Sequence, residues 1–186
     1  MTRAASSARS QTARTSGLTL IDLMCTLAIM AILLGGALPA LRDLHASQFL
    51  QATAALLETD IQYAKSEALV QGQSVRLSVQ ALPDGGSCYL VHTGAAHACR
   101  CQGGGQAQCA ADARLLRLAE QPASSGISLA PLQRSILFDG SKGTVTPTAT
   151  FAVTDREGRS VRQIVNIMGR VRSCTTTRGL GGLRPC

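Results

Sequence analysis

The chain has 186 residues, a formal net charge of +7 at pH 7 and an apolar share of 45%. It contains no repeats and no long linkers, and its length suffices for one modest core beside a membrane segment, which excludes a repeat array or a large multidomain protein. Aromatic residues are few, with three Phe, two Tyr and no Trp. A core must therefore consist mainly of Leu, Ile, Val and Ala.

A polar leader precedes a long apolar segment. Residues 1–17 carry three arginines and no acid, and residues 18–41 carry Asp22 as their only charge. A helix of that length spans roughly 36 Å, enough to cross a bilayer with the basic leader on the cytoplasmic side. Because a carboxylate at the centre of a membrane helix costs roughly 2.5–3.5 kcal/mol, Asp22 calls for a functional reason.

Two simpler interpretations fit this segment less well. A secretory signal has an apolar core of about 7–15 residues, which is shorter than the run seen here. Its best small-residue cleavage site, at residues 37–40, contains Pro39. A plain membrane anchor explains the length but gives no reason for Asp22 or for the glycine five residues before it.

Residues 16–41 resemble the class III signal of type IV pilins and type II secretion pseudopilins, in which a glycine precedes Phe-Thr-Leu-Ile-Glu-Leu and an apolar helix. Here residues 17–23 read Gly-Leu-Thr-Leu-Ile-Asp-Leu, with Leu for Phe and the shorter Asp for Glu. The resemblance implies that a prepilin peptidase cuts between Gly17 and Leu18 and methylates the new N-terminus. It also implies that Asp22 pairs with the N-terminal amine of a neighbouring subunit during assembly.

Beyond Pro39 the helical pattern continues as one apolar stripe with spacings of three and four residues, formed by Leu50, Ala54, Leu57, Ile61, Ala64 and Ala68. Gly72 then serves as a helix cap. The sequence thus predicts one helix from Leu18 to about Gln71. Its membrane half would be residues 18–41, followed by a periplasmic domain over residues 42–186.

After Gly72 the apolar period changes to two, which indicates strands. Short strands are predicted at residues 75–79, 88–92, 127–130, 135–138, 149–154 and 160–167, with residues 155–158 as the hairpin turn between the last two. Residues 103–105, three glycines, are predicted to be a flexible loop. One helix followed by several strands predicts an α+β fold with an antiparallel sheet.

Seven cysteines divide between the membrane helix and the exported domain. Cys25 is a small apolar filler, whereas an even number in an exported domain favours disulfides. The preferred pair is Cys174 with Cys186, because it would hold a Gly-rich tail that lacks a core. The other four would pair among themselves, with Cys99 and Cys101 bonded to different partners; they are Cys88, Cys99, Cys101 and Cys109.

A zinc site built from these cysteines with His92 and His97 is the alternative. Only one residue separates Cys99 from Cys101, less than paired zinc ligands usually need, so disulfides are preferred. The histidines lack a partner motif for catalysis, and the three glycines lack the pattern of a phosphate loop. We therefore predict no catalytic residues, no metal, no cofactor and no enzymatic activity.

The C-terminal segment is strongly basic. From residue 155 onward it has two acids and seven arginines, namely Arg156, Arg159, Arg162, Arg170, Arg172, Arg178 and Arg184. The remainder of the chain after residue 17 has a net charge of −1. Clustered arginines are suited to forked phosphate contacts and are typical of nucleic-acid binding, although arginines on a strand can also simply face water.

Residues 165–172, Val-Asn-Ile-Met-Gly-Arg-Val-Arg, resemble the C-terminal end of the FimT/GspH family of minor pilins and minor pseudopilins. Some FimT-type members bind DNA during natural transformation through a Gly-Arg-x-Arg element, which here maps onto Gly169, Arg170 and Arg172. Alternate residues of an extended segment share a side, so both guanidinium groups would point together. Arg162 and Arg178 are further DNA-binding candidates.

The favoured hypothesis is a minor pilin of the FimT/GspH type in the bacterial inner membrane, incorporated in or priming a type IV pilus. It would bind double-stranded DNA without sequence preference through its C-terminal arginines. The alternative is a minor pseudopilin of type II secretion with a structural role only. A membrane-tethered zinc protein is the third hypothesis. The expected partners are other pilins or pseudopilins, the prepilin peptidase and the membrane.

Overall fold

The computed structural model describes residues 19–131, 134–176, 180 and 182–186. The chain divides into two compact units, Met1–Arg42 and Asp43–Cys186. Helix α1 spans Leu20–Gln71 and is followed by a short 3-10 helix at Ala123–Ser125 and by eleven strands. The strands are β1 (Val75–Ala81), β2 (Ser87–Thr93), β3 (Cys99–Gly103), β4 (Gln106–Cys109), β5 (Leu115–Gln121), β6 (Ser128–Pro131), β7 (Ser135–Phe138), β8 (Val145–Thr146), β9 (Ala149–Thr154), β10 (Ser160–Val165) and β11 (Val171–Thr175).

The first part of α1 is a fully exposed apolar helix. Its apolar window has a mean hydropathy of 2.2, and α1 is long and apolar enough to cross a membrane. Asp22 lies in its first turn, where the Thr19 hydroxyl donates to the Asp22 carboxylate at 3.1 Å. Pro39 lies inside the helix and does not end it. These features are consistent with a single membrane anchor and confirm the predicted long helix.

Within the second unit, the predicted apolar stripe of α1 is buried from Leu50 to Ala68. Polar residues buried with it have hydrogen-bond partners, as Asp60 and Gln163 show. The Asp60 carboxylate accepts a hydrogen bond from the Tyr89 hydroxyl at 2.7 Å, and the Gln163 amide donates to the Ala54 carbonyl at 3.0 Å. The helix therefore contacts both a β2 side chain and a β10 side chain through buried hydrogen bonds.

Antiparallel strands form two larger sheets and one hairpin. The five-stranded sheet has the order β5-β2-β1-β7-β8, the four-stranded sheet β11-β10-β9-β6, and β3 pairs with β4. Inward-facing residues of both larger sheets join the α1 stripe in one core. Its large members include Leu77, Phe138, Phe151 and Val153. This architecture confirms the α+β class. The core also contains few aromatic residues, as predicted.

The six predicted strands are present, with β10 ending at Val165 because residue 166 starts a turn. The loop predicted at residues 103–105 is shorter than expected: Gly104 and Gly105 form the turn of the β3–β4 hairpin, whereas Gly103 is the last residue of β3. All three glycines have positive φ, between 66° and 86°. Strands β3, β4, β5, β8 and β11 were not predicted.

Three disulfides close the domain. Cys174 bonds to Cys186, which is the pair preferred from the sequence, and the remaining bonds are Cys88–Cys101 and Cys99–Cys109. The second of these crosslinks β3 to β4, and Cys88–Cys101 attaches that hairpin to β2. The Gln80 side chain adds to the attachment by donating to the Cys99 carbonyl and accepting from the Cys101 amide.

The C-terminal tail lies along β11. The Thr175 amide donates to the Arg184 carbonyl at 2.9 Å and the Cys186 amide to the Thr175 carbonyl at 3.0 Å, while Thr175 and Pro185 form a parallel bridge. The Cys174–Cys186 disulfide fixes the tail in this position. Strand β11 is otherwise an edge strand of its sheet.

His92 lies on strand β2 and is fully buried. Its Nδ1 lies 2.9 Å from the Thr93 carbonyl, to which it donates, so Nε2 accepts from the Ser78 hydroxyl at 3.0 Å. Burial lowers the pKa of His92, with a smaller contribution from nearby Arg76, against a hydrogen bond to Thr93 that raises it. The neutral imidazole is therefore the form that fits the fold.

The lowered pKa of His92 predicts a loss of stability in mild acid. The unfolded chain binds a proton near pH 6.5, before the folded chain does, so the free energy of unfolding should fall as pH drops below about 6.5. Urea unfolding of the oxidised second unit at pH 7.5 and pH 5.5 measures this. In His92→Gln the pH dependence over this interval should shrink; an unchanged dependence would assign it to other groups.

The α1 stripe allows a matched pair of core and surface substitutions. Leu57 is 1% exposed and Leu56 is 48% exposed on the adjacent position of the helix. Leu57→Ala should lower the free energy of unfolding by about 2–5 kcal/mol because it leaves a cavity. Leu56→Ala should change it by less than about 0.5 kcal/mol. Equal effects in urea unfolding would contradict the assignment of the buried face.

Candidate nucleic-acid interface

Three of the candidate arginines share the outer face of the β10–β11 hairpin. In the register of the two strands, Arg162 lies opposite Cys174 and Arg172 lies opposite Ile164. Residues directly opposite point to the same face, so Arg162 and Arg172 are diagonal neighbours. Arg170 precedes Arg172 by two positions and closes the hairpin against Asn166. We call Arg162, Arg170 and Arg172 the arginine face; all three are exposed.

The inner face of the same hairpin packs toward α1. Val161, Gln163 and Val165 alternate with the outward residues and are buried. The Ser173 hydroxyl of β11 lies 2.8 Å from the Gln163 amide oxygen and 2.6 Å from the Glu58 carboxylate. Burial of one face thus determines which way the arginines point, because a shift of one residue in register would reverse every side chain.

A tight loop joins the two strands at residues 167–169. The Asn166 amide donates to the Arg170 carbonyl, and the Gly169 amide donates to the Asn166 carbonyl at 2.8 Å. The Asn166 side-chain oxygen accepts from the amides of Met168 and Arg170, at 3.1 and 2.8 Å. Asparagine at the start and glycine at the end are the residues that such a turn requires.

Gly169 has a φ of +68°, a conformation that L side chains rarely adopt. A Cβ at this position would lie 2.9 Å from Cδ of Lys65 and 3.1 Å from Cγ2 of Val145. The space beside the α-carbon of Gly169, where a side chain would project, is therefore occupied by these two residues. The Lys65 ammonium group itself donates to the Met168 carbonyl at 2.8 Å.

Two of the seven C-terminal arginines are engaged elsewhere. Arg159 contacts Asp155 at 2.6 Å and Asp43 at 2.5 Å, and its Nη2 lies 2.6 Å from Glu157 outside hydrogen-bond geometry. The Asp155 hydrogen bond is the main cause that raises the pKa of Arg159. Arg156 donates to the Ala123 and Ser124 carbonyls. Neither guanidinium is available to a phosphate without breaking these contacts.

The remaining C-terminal arginines include several without an ion pair among the described side chains. Arg184 is exposed beside the Thr175–Pro185 bridge. Arg178 lies outside the described residues, as do Gly17 and Leu18 of the predicted cleavage site. Among the described side chains, no carboxylate forms an ion pair with Arg162, Arg170, Arg172 or Arg184. Their charge is therefore left for an external anion.

The cysteine and histidine candidates are arranged differently from a metal centre. All six cysteines of the second unit are in disulfides, so none offers a thiolate. Across residues 19–131, 134–176, 180 and 182–186, no group of three or more His, Cys, Asp or Glu side chains has a metal-binding arrangement. Ser78 and His92 form a Ser–His contact that the sequence did not reveal, and both residues are almost inaccessible to solvent.

Comparison with known proteins supports the family suggested by the two chain ends. A family model described as Type II transport protein GspH matches residues 53–169. The chain belongs to the GspH family. This match runs from the buried part of α1 to the glycine of the hairpin loop, so it covers the middle of the domain but neither the apolar segment at residues 18–41 nor Arg170 and Arg172.

Two crystal forms of the type IV minor pilin FimU of Pseudomonas aeruginosa are similar to this GspH-family chain in fold. In the P21 form the identity is 21% and the TM-score 0.49, over 67% of this chain and 87% of FimU. In the P65 form the identity is 20% and the TM-score 0.47, over 66% and 90%. None of the curated protein sequences matches the chain significantly.

The sequence did not identify Lys65, Ile167 or Met168 as part of this site. Lys65 was one of the polar residues between the apolar positions of α1, and its contact with Met168 joins residues 103 positions apart. Asn166 and Gly169 were the available signal for the hairpin loop, since their spacing is that of a tight turn.

Gly169 and Gly158 form a matched pair for testing the loop geometry. Both have positive φ, but a Cβ at Gly158 meets no atom within 4 Å. Gly158→Ala should therefore cost only the backbone strain, about 1–2 kcal/mol. Gly169→Ala should cost more in urea unfolding because the new methyl group also displaces Lys65. Equal losses would mean that the contact with Lys65 does not restrict this position.

Proposed function

We propose that the chain is a minor pilin that is incorporated in, or primes, a type IV pilus and binds double-stranded DNA through its arginine face. The observation that carries this proposal is the outward alignment of Arg162, Arg170 and Arg172 on one paired hairpin, without a carboxylate partner among the described residues. Paired strands hold these arginines in a fixed row, so less side-chain and backbone freedom is lost on binding.

We expect the arginine face to contact the sugar–phosphate backbone of DNA rather than its bases. Arginine forks match phosphate oxygens, and residues 155–186 contain no aromatic side chain on which a base could stack. Such binding is independent of sequence and weakens strongly with salt, because it rests on counterion release. In a pilus it would serve to capture DNA for uptake.

The N-terminal part supports a place in a filament. We propose that the prepilin peptidase cuts between Gly17 and Leu18 and methylates Leu18, and that α1 then anchors the chain in the inner membrane with residues 42–186 in the periplasm. Asp22 would pair with the N-terminal amine of a neighbouring subunit. Asp22 is exposed, and its carboxylate accepts a hydrogen bond from the Thr19 hydroxyl at 3.1 Å, which supports its accessibility to that amine.

A minor pseudopilin of type II secretion, with a structural role and no nucleic-acid partner, is the second candidate. The description of the matching family as a type II transport protein favours it. Both candidates are structural rather than enzymatic and share the anchor, the processing and the assembly contact. They differ in what the arginine face does, so DNA binding separates them.

DNA binding by the full chain in uncharged detergent micelles tests the proposal. A fluorescent duplex titrated at several salt concentrations should bind with a log–log slope of about −2.7 if the three arginines of the arginine face contact phosphates. Arg170→Ala/Arg172→Ala should weaken binding and reduce the magnitude of the slope by about 1.8, since two contacts are lost. A folded chain that binds no duplex would favour the pseudopilin.

The control is a second double variant that has the same net charge as Arg170→Ala/Arg172→Ala but loses its two arginines elsewhere on the domain. Arg100 and Arg134 are exposed arginines outside the β10–β11 hairpin, and Arg100→Ala/Arg134→Ala removes two charges there. This variant should keep a slope close to that of the unsubstituted chain. If both double variants weaken binding equally, net charge rather than the arginine face accounts for the interaction.

A further inference from the structure

The loop of the β10–β11 hairpin exposes two large apolar side chains. Ile167 is 56% exposed and Met168 is 59% exposed. Loops of this kind usually carry polar residues, and contact with water is unfavourable for both side chains. Because they lie side by side at the end of a hairpin, they form a small apolar tip.

The main chain of this tip is held from three directions. The Ile167 carbonyl accepts from the Val145 amide at 2.7 Å, and the Met168 carbonyl accepts from the Lys65 ammonium group at 2.8 Å. The Met168 amide donates to Asn166 at 3.1 Å. The backbone is therefore preorganised while both side chains remain free, which lowers the entropic cost of inserting them elsewhere.

Cations stand on both sides of the tip. Arg170 and Arg172 belong to the outer face of the hairpin, whereas Lys65 reaches the loop from α1, which packs on the inner face. Residues 158–186 contain no Asp or Glu. The tip thus fits a partner that has an apolar interior between two rows of negative charge.

We propose that Ile167 and Met168 act as a wedge that enters the minor groove of duplex DNA and partly separates two stacked base pairs, bending the duplex. This inference rests on the proposed DNA binding by the arginine face and specifies its mode. Phosphates line both rims of the groove, and apolar wedges inserted there kink DNA by roughly 20–90°. An anionic lipid surface offers the charge but lacks the paired rims.

The experiment uses the full chain in uncharged micelles and a 27-base-pair duplex with donor and acceptor dyes at its ends. Binding should raise energy transfer, because bending brings the ends together. Ile167→Ser/Met168→Ser should lose this rise and bind about tenfold more weakly, with an unchanged salt slope because no cation is removed. Met168→Leu, which keeps an apolar side chain, should retain both bending and affinity.

Two exposed apolar residues of α1, Phe49 and Leu56, supply the control. Phe49→Ser/Leu56→Ser should bind and bend DNA as the unsubstituted chain does. Binding without a change in energy transfer, or a serine variant of the tip that bends DNA normally, would overturn the wedge and leave DNA binding intact. No binding by the unsubstituted chain would overturn the proposed function as well.

Vesicles of phosphatidylglycerol test the lipid alternative. The unsubstituted chain is held in nanodiscs whose lipids have no net charge. It should not bind these vesicles through its tip. If it did so more tightly than it binds DNA, and Ile167→Ser/Met168→Ser abolished that binding, the tip would be a membrane wedge. That result would overturn the assignment to DNA.

Discussion

The second unit depends on burying one face of a single helix against two sheets at once. The apolar stripe of α1 from Leu50 to Ala68 supplies the surface that joins the sheets into one core. Residues of both sheets pack against this stripe, and small stripe residues such as Ala54 and Ala64 leave room for the side chains of the strands. Every exposed feature of the domain is consequently positioned relative to this helix.

Polar side chains determine which positions along α1 the turns and strands of the four-stranded sheet contact. Arg159 connects Asp43 to the β9–β10 turn, Gln163 contacts Ala54, and Lys65 contacts the β10–β11 loop. These contacts follow the helix from its beginning in the domain toward its end. A hydrophobic stripe alone would permit sliding, whereas directional hydrogen bonds from buried or half-buried groups select one position. The orientation of the arginine face follows from that position.

Local chemistry made part of this structure predictable. The stripe of α1 and its end at Gly72 follow from helical periodicity and a cap, and the β9–β10 turn follows from Asp155 and Gly158. Resemblance at the C-terminal end predicted a role for Arg170 and Arg172, and the hairpin register explains why they point outward together. For these features the decisive interactions lie within a few residues of one another.

Long-range contacts account for what the sequence did not reveal. Strands β3 and β4 are short, and their apolar positions are filled by three cysteines and one alanine rather than by large aliphatic residues; two disulfides and the side chain of Gln80 hold them in place. Strand β11 is a short segment that pairs only because β10 is already fixed by α1. Lys65 joins the candidate site across 103 positions of sequence, so no local pattern could have placed it there.

The tail that the Cys174–Cys186 bond holds along β11 bears on how such a subunit can polymerise. An open edge strand is a template on which further strands can add without limit. Here the bridge between Thr175 and Pro185 occupies part of that edge. On the opposite edge of the sheet, Pro131 of β6 lacks an amide hydrogen and the Leu129 amide already donates to Ser87. Both edges of this sheet are thereby hindered from pairing with strands of a second copy, so uncontrolled growth of sheets between chains is disfavoured.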